Sequence, residues 1–463
     1  MVRPRPNPHK KHIERVTKMK KIQRGYGLNE CPSVKETVPL SLQHILILIF
    51  NVLPVPLLIA GGFGLNAAET TILVAGCLLV TGVATILQCI GVGPFGARLP
   101  ICLENSFVFV APAIALAGAG YGLDTFTGAC LIGSAVTMVV WSVFHEQLTK
   151  LFKPYITGAV VMALGLSLCS VGIGYCAGGV GSPDYGDPIN LLLAGGTILI
   201  MLLLNHYGKK NFLSKASPLI AIVVMSAFAA AFGKLDLSSV GQESWFRIPQ
   251  PLHFGIKFDL QPIISITVLS LIALVELMGD QASASMLSSN RLPNTKESRG
   301  GILAQGITSI FSSLFNMCPT ISGSANIGMC GISGVTSRYV VAFGGVVVLL
   351  CSLFPKLCAV FASIPTPVLG GVALSAFGTI LVSGMNVIHH SKMTNRTRTI
   401  VGVSLAVGVG FSMVSDALAS FPYWASTLFS GVPGTALTAI ILSLVLREKE
   451  DANEGEEKTA AEE

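Results

Sequence analysis

The chain has 463 residues, of which 51% are apolar and only 12% charged, with 49 glycines and a formal net charge of +6. Soluble globular proteins carry about 25% charged residues, and apolar runs of about 20 residues, long enough to cross a bilayer core of roughly 30 Å, recur here. A soluble domain is therefore excluded and a polytopic all-α membrane protein is expected.

The chain opens on a basic tail, residues 1–40, in which Arg3, Arg5, Lys10, Lys11, Arg15, Lys18, Lys20, Lys21 and Arg24 crowd together. The first apolar run starts only near Leu42, too late for the core of a signal peptide, so no cleaved leader is expected. Beside a membrane domain, such a tail reads as a topology signal attracted to anionic lipid headgroups rather than as a nucleic-acid site. Fourteen apolar segments follow, at about 42–60, 70–90, 99–117, 126–144, 156–174, 189–206, 216–233, 262–280, 300–316, 319–335, 339–355, 367–385, 399–415 and 430–446. An acidic tail, 449–463, closes the chain. The eleven cysteines show no metal-type spacing, and most sit inside apolar runs as small hydrophobes.

Charge placement gives the expected orientation. With the N-terminus in the cytoplasm, the even-numbered loops and the two tails hold 26 of the 30 Lys and Arg, and only Lys234, Arg247, Lys257 and Lys356 fall outside. This asymmetry places both termini in the cytoplasm of a plasma-membrane protein. Fourteen segments divide as seven plus seven, so the second half is inserted upside down relative to the first, as in inverted-repeat transporters. Segments three and ten then correspond. Both open on proline and reach a short polar run, Pro100-Ile-Cys-Leu-Glu104-Asn105-Ser106-Phe107 and Pro319-Thr-Ile-Ser-Gly-Ser324-Ala325-Asn326. Proline removes a helix donor and glycine loosens the backbone, and matching interruptions in two halves point to a substrate site.

Three acidic residues fall clearly inside the segments: Glu104, Glu276 and Asp280. A carboxylate at the bilayer centre costs at least about 2.5–3.5 kcal/mol, so each is a functional candidate. Glu276 and Asp280 stand four residues apart and share one helix face. That suits a proton-coupled site in which one group accepts N–H bonds and the other handles the proton; alternatively, Asp280 caps the end of segment eight. His44, after Gln43 in segment one, reads either as a proton relay or as a structural group. No nucleophile elbow, HExxH, P-loop or Asp-rich metal motif is present, so neither an enzyme, a metal nor a cofactor is expected.

From about Leu40 to Leu446 the sequence resembles the nucleobase–ascorbate transporter family, which includes bacterial xanthine, urate and uracil permeases. The resemblance rests on Gln43-His44, on Gly91-Val-Gly-Pro-Phe-Gly-Ala-Arg-Leu-Pro100 leading to Ser106-Phe107, and on the glycine-rich run Ala177 to Pro188. It continues through Glu276-Leu-Met-Gly279-Asp280, Phe315-Asn316, Asn326-Ile-Gly328 and Gly334-Val-Thr-Ser-Arg-Tyr339. It implies a core domain (about 41–150 and 262–355) beside a gate domain (about 151–261 and 356–448), a homodimer, and an elevator-like motion. By the same resemblance, Glu276 binds the base, and Phe107, Ser324 and Ala325 at the broken segments complete the site. Ser106 and Asn326 belong to the same motifs, and His44, Asp280 and Gln305 occupy the coupling or tuning positions. The implied function is proton-coupled uptake of a purine such as xanthine or urate, with ascorbate-like or other small organic anions as the alternative cargo. Where the family places Gln, Glu or Pro before Asn-x-Gly, this chain has Ala325, and the helix-nine aspartate or asparagine is replaced by Gln305. An acidic residue in segment three is a candidate replacement for the missing contact: Glu104 or its neighbour Asn105 either supplies a polar anchor to the site, or Glu104 pairs with Arg98.

Overall fold

A computed structural model describes residues 26–151, 153–208, 216–389, 391 and 393–446. Most of the basic tail and the acidic tail lie outside these residues. The chain forms two compact units, Met1–His145 with Val171–Ser375, and Glu146–Ser170 with Ala376–Glu463.

In the larger unit, helix α1 (Val34–Val52) begins well ahead of the expected position 42, and α2 (Pro54–Gly62) continues after it. The early start has a local cause: the Ser33 backbone N–H donates to the Glu36 carboxylate at 3.2 Å, half of a capping box. Helix α3 (Ala67–Ile90) opens the same way, with Asn66 and Glu69 capping each other, and stops at Gly91, whose φ is 73°. Segment three is not a continuous helix. It is a three-residue strand β1 (Leu103–Asn105), a single 3-10 turn (Phe107–Phe109) and a half-helix α4 (Val110–Gly118). Next come α5 (Leu123–Leu151), whose end belongs to the smaller unit, α6 (Pro154–Cys176), most of which belongs to the smaller unit, and then α7 (Pro188–Tyr207), α8 (Ser217–Ala231) and the short α9 (Ser238–Gln242) of the larger one. The long α10 (Leu260–Ser289) and α11 (Thr295–Leu314) lead to the second interrupted segment, strand β2 (Thr320–Ser322) followed by half-helix α12 (Ser324–Ser333).

The two strands pair antiparallel, Leu103 opposite Ser322, Glu104 opposite Ile321 and Asn105 opposite Thr320. Extended backbone at membrane depth has to find all its hydrogen bonds inside the protein. Neighbouring helices supply what the ladder leaves over. The Thr85 hydroxyl serves both the N–H and the carbonyl of Leu103 at 3.2 Å, and the Thr320 N–H donates to Ser309 Oγ at 3.0 Å. Asn105 donates to the Cys318 carbonyl at 2.6 Å and to Ser312 Oγ at 2.8 Å.

Helix α13 (Arg338–Cys351) lies along α3, and glycine makes the approach close: a Cβ at Gly82 would sit 2.7 Å from the Gly345 carbonyl oxygen and 2.7 Å from the Leu349 nitrogen. The eleventh expected segment is helical as α13, and beyond it the chain bends by 90° into α14 (Pro355–Ala362), where Pro355 starts a new helix. At the start of the described chain, Tyr26 bridges Val335, the Thr336 N–H donates to the Tyr26 carbonyl at 2.8 Å, and Ser337 Oγ donates to the Glu30 carbonyl at 2.6 Å.

Each of the four cations that break the charge asymmetry is occupied. Lys234 bridges Asp184 and Asp187, Lys257 pairs with Asp124 at 2.7 Å, Arg247 with Glu243 at 3.3 Å, and Lys356 lies 4.3 Å over the Trp245 ring. The hydrogen bond from Lys234 holds the Asp184 carboxyl below the usual carboxylate range.

Helix α15 (Thr366–His389) starts in the larger unit and continues into the smaller one, which also holds α16 (Asn395–Met413), a 3-10 turn (Ser415–Leu418), α17 (Tyr423–Phe429) and α18 (Gly431–Val445). There, Arg396 donates to the Ser443 carbonyl at 2.7 Å and to Tyr155 Oη at 3.3 Å. Helix is found within each segment read from the sequence. Among the described residues six helices (α3, α5, α6, α7, α10 and α15) are long and apolar enough to cross a membrane, or seven with α13 and α14 as one bent span.

Candidate functional site

Glu276 and Asp280 project from the middle of α10. The helix runs on to Ser289, so Asp280 does not cap its end. Facing them is Ser324, the first residue of α12, whose hydroxyl reaches Asp280 Oδ1 at 2.9 Å, Asp280 Oδ2 at 3.0 Å and Glu276 Oε1 at 3.4 Å. One hydroxyl proton serves one carboxylate at a time, and the shorter distances favour Asp280. Asp280 is buried, Glu276 half-buried, and Ser324 and Ala325 exposed, so Glu276 and the first turn of α12 border open space. The first backbone N–H groups of α12 have no partner within the helix and point out of its N-terminus.

Glu104 joins this cluster from β1. Its carboxyl carbon would lie 3.0 Å, and its two oxygens 3.1 and 3.2 Å, from a Cβ at Gly323. The carboxyl thus lies against the residue that opens α12, so that a side chain there would have to push it back by a few tenths of an ångström. Negative charge at that end of a helix is stabilised by the exposed N–H groups. Its hydrogen-bond donor is Asn51 of α1, at 3.4 Å. Among the described residues Glu104 makes no ion pair with Arg98, and Asn105 is spent as a strut inside the fold, which leaves Glu104 as the polar group of segment three nearest α12.

Other sequence candidates hold the frame. His44 is fully buried, and its Nδ1 lies 2.6 Å from Asn326 Oδ1. Asn326 Nδ2 donates to the Pro100 carbonyl at 3.2 Å, so one side chain ties α1, the entry to β1 and α12 together. Asn326→Ala should remove the oxygen that faces His44 Nδ1, at a cost of about 1–3 kcal/mol. The expected result is a lower thermal midpoint in detergent, and an unchanged midpoint would remove this role. Ser106 is buried and accepts from the Val108 N–H at 3.1 Å as the cap of the 3-10 turn, while Phe107 is half-buried at the start of that turn. Gln305 is not brought to the carboxylates: it lines a small cavity behind β2 with Ser134, Thr137, Ser270 and Thr320. The sequence reading missed Asn51 and Gly323. Asn51 stands two helical turns after His44, a polar residue within an apolar run, and that was its signal.

The family model described as "Permease family" matches residues 35–417. The chain belongs to this permease family. It is an integral membrane transporter and not an enzyme. The chain is 34% identical to the uric acid permease PucJ of Bacillus subtilis, over 89% of this chain and 93% of that one. It is 33% identical to the xanthine permease XanP of Escherichia coli, over 91% and 94%. In fold, the permease is similar to the transmembrane domain of the cyanobacterial bicarbonate transporter BicA, with a TM-score of 0.57 at 17% identity, over 90% of this chain and 99% of that one. Within the permease, the arrangement of α10, β1 and α12 can do one kind of chemistry well. It offers carboxyl oxygens as acceptors and helix-end N–H groups as donors around a small polar ligand. Among the described residues no group of three or more His, Cys, Asp or Glu converges as a metal site.

Proposed function

We propose that this permease carries a purine base across the plasma membrane together with a proton. The observation that carries the reading is Glu276, half-buried in the middle of a membrane helix and facing the open N-terminus of α12 across Ser324. A carboxylate and nearby N–H donors match the alternating donor and acceptor edge of a purine, and the relatives named for uric acid and xanthine support the same cargo class. Glu276 receives the ligand's N–H groups, Phe107 packs on the ring, and Ser324 with the Ala325 N–H completes the contact. Asp280 and His44 serve coupling, and the Gln305 position tunes the site from behind. Fourteen spans in a seven-plus-seven inverted repeat, with the paired strands β1 and β2 at the centre of the core domain, fit an elevator motion against the gate domain in a homodimer. Both termini face the cytoplasm, where the basic tail meets anionic lipid.

The test is uptake of labelled purines and small organic acids by cells producing the permease, with and without a protonophore. Purine accumulation that collapses with the proton gradient is the expected result. Uptake confined to ascorbate-like acids would overturn the cargo, and sodium-dependent uptake indifferent to the protonophore would overturn the coupling.

A further inference from the structure

Behind β2, helices α5, α10 and α11 enclose a cavity whose volume, taken at the centre of a water-sized sphere, is about 10 Å³. Four oxygens of its lining residues have no hydrogen-bond partner among the described residues: Ser134 Oγ and Thr137 Oγ1 of α5, Ser270 Oγ of α10 and Gln305 Oε1 of α11. None of these four residues is more than 5% exposed. A serine or threonine inside a helix can satisfy its hydroxyl on the carbonyl four residues back. Neighbours in the same helices do so, Thr127 and Ser142 in α5, Ser265 and Thr267 in α10. Ser134, Thr137 and Ser270 leave that acceptor aside and line the cavity instead. A buried polar atom without a partner is costly, and four around one small space call for a shared partner.

We propose that this cavity is a binding site for a single water molecule, which joins α5, α10 and α11 behind the strand that leads to Ser324. Volume and chemistry both fit. A cavity of about 10–15 Å³ on this measure holds one water, and a buried water takes two to four polar partners. Gln305 Oε1 can only accept, while each of the three hydroxyls can donate or accept. The two protons and two lone pairs of one water can therefore all be used. A cation fits worse. None of the described residues lining the cavity is ionisable, and four neutral oxygens do not replace the hydration shell of an ion brought into apolar surroundings. Phe109 and Leu274 supply part of those surroundings. Nothing in this site depends on which base is carried.

The experiment is thermal unfolding of the purified full-length permease in detergent, beside a crystal structure of the wild type at a resolution that shows ordered water. Thr137→Val keeps the shape of the side chain and replaces its hydroxyl by a methyl group. With water bound, the swap removes one of the water's partners, and the midpoint should fall by about 1–3 °C. In a dry cavity the same swap removes an unpartnered hydroxyl, so an unchanged or higher midpoint overturns the proposal. Ser270→Ala is the second variant if the first does not fold, with a fall expected again and the opposite sign overturning. The wild-type density should show one peak within about 2.6–3.2 Å of at least three of the four oxygens, and an empty cavity overturns the proposal. Wild-type midpoints in equal concentrations of sodium chloride and choline chloride should agree. A sodium-dependent rise that Thr137→Val abolishes would make the occupant a cation and overturn the assignment to water.

Discussion

Glu276→Gln should abolish accumulation of the transported purine while the permease still reaches the membrane. The substitution keeps the size of the side chain and removes its charge. The amide turns one of the two acceptor positions into a donor, which would face the N–H groups of a bound base. A hydrogen bond to a charged group is worth about 1.5–3 kcal/mol, so affinity should fall roughly 10- to 100-fold, and proton coupling through the same carboxyl would be lost with it. Ser324 holds Asp280 more closely than Glu276, so the frame of the site does not depend on the Glu276 charge. Membrane-inserted protein, quantified beside uptake, separates the two effects. Normal uptake by this variant would remove Glu276 from the binding site.

The largest effect on folding is expected from Gly82→Val, far from any ligand. A Cβ at Gly82 would stand 2.6 Å from Leu349 Cβ and 2.7 Å from two backbone atoms of α13. Backbone cannot swing aside as a side-chain end can, so the helices would have to separate over their contact. Overpacking of this kind typically costs 1–3 kcal/mol, and about that or more is expected where a whole helix pair shifts. The result should be loss of monodisperse protein in fluorescence-detected size-exclusion chromatography. Gly195→Ala in α7 is the control: nothing lies within 4 Å of its Cβ position, and alanine favours the helix by up to about 1 kcal/mol. Equal behaviour of the two variants would mean that α3 and α13 do not pack as described.

The residues of the candidate site were conspicuous in the sequence because membrane energetics single them out. Glu276 and Asp280 stood out as carboxylates in an apolar run, and Pro100 and Pro319 marked both interruptions. Periodicity could not disclose that the interruptions pair with each other as strands, because Glu104 and Ile321 are far apart in the chain and three-residue strands leave no repeat to read. The early start of α1 was recoverable from the Ser33–Glu36 spacing, which was read as part of the tail. Span counting by length favours α3 or α10 over half-helices such as α4 and α12, since these are too short to cross a bilayer alone. The matching interruptions pointed Glu104 toward segment ten, but its contact with Gly323 in particular depends on how two separate segments cross.

The bridge between Tyr26 and Val335 bears on the order of assembly. The Thr336 hydroxyl donates to the Tyr26 carbonyl across 310 positions of sequence, and Tyr26 is buried against Val335 and Val340. A ribosome delivers the chain from its N-terminus at roughly 5–20 residues per second, so this early segment emerges long before its partner exists. It has to wait, undocked, through synthesis of everything up to α13. The segment at Tyr26 is thus among the last pieces of the described chain to find its place, and a bulky fusion joined close to Tyr26 should hinder completion of the fold more than insertion of the helices.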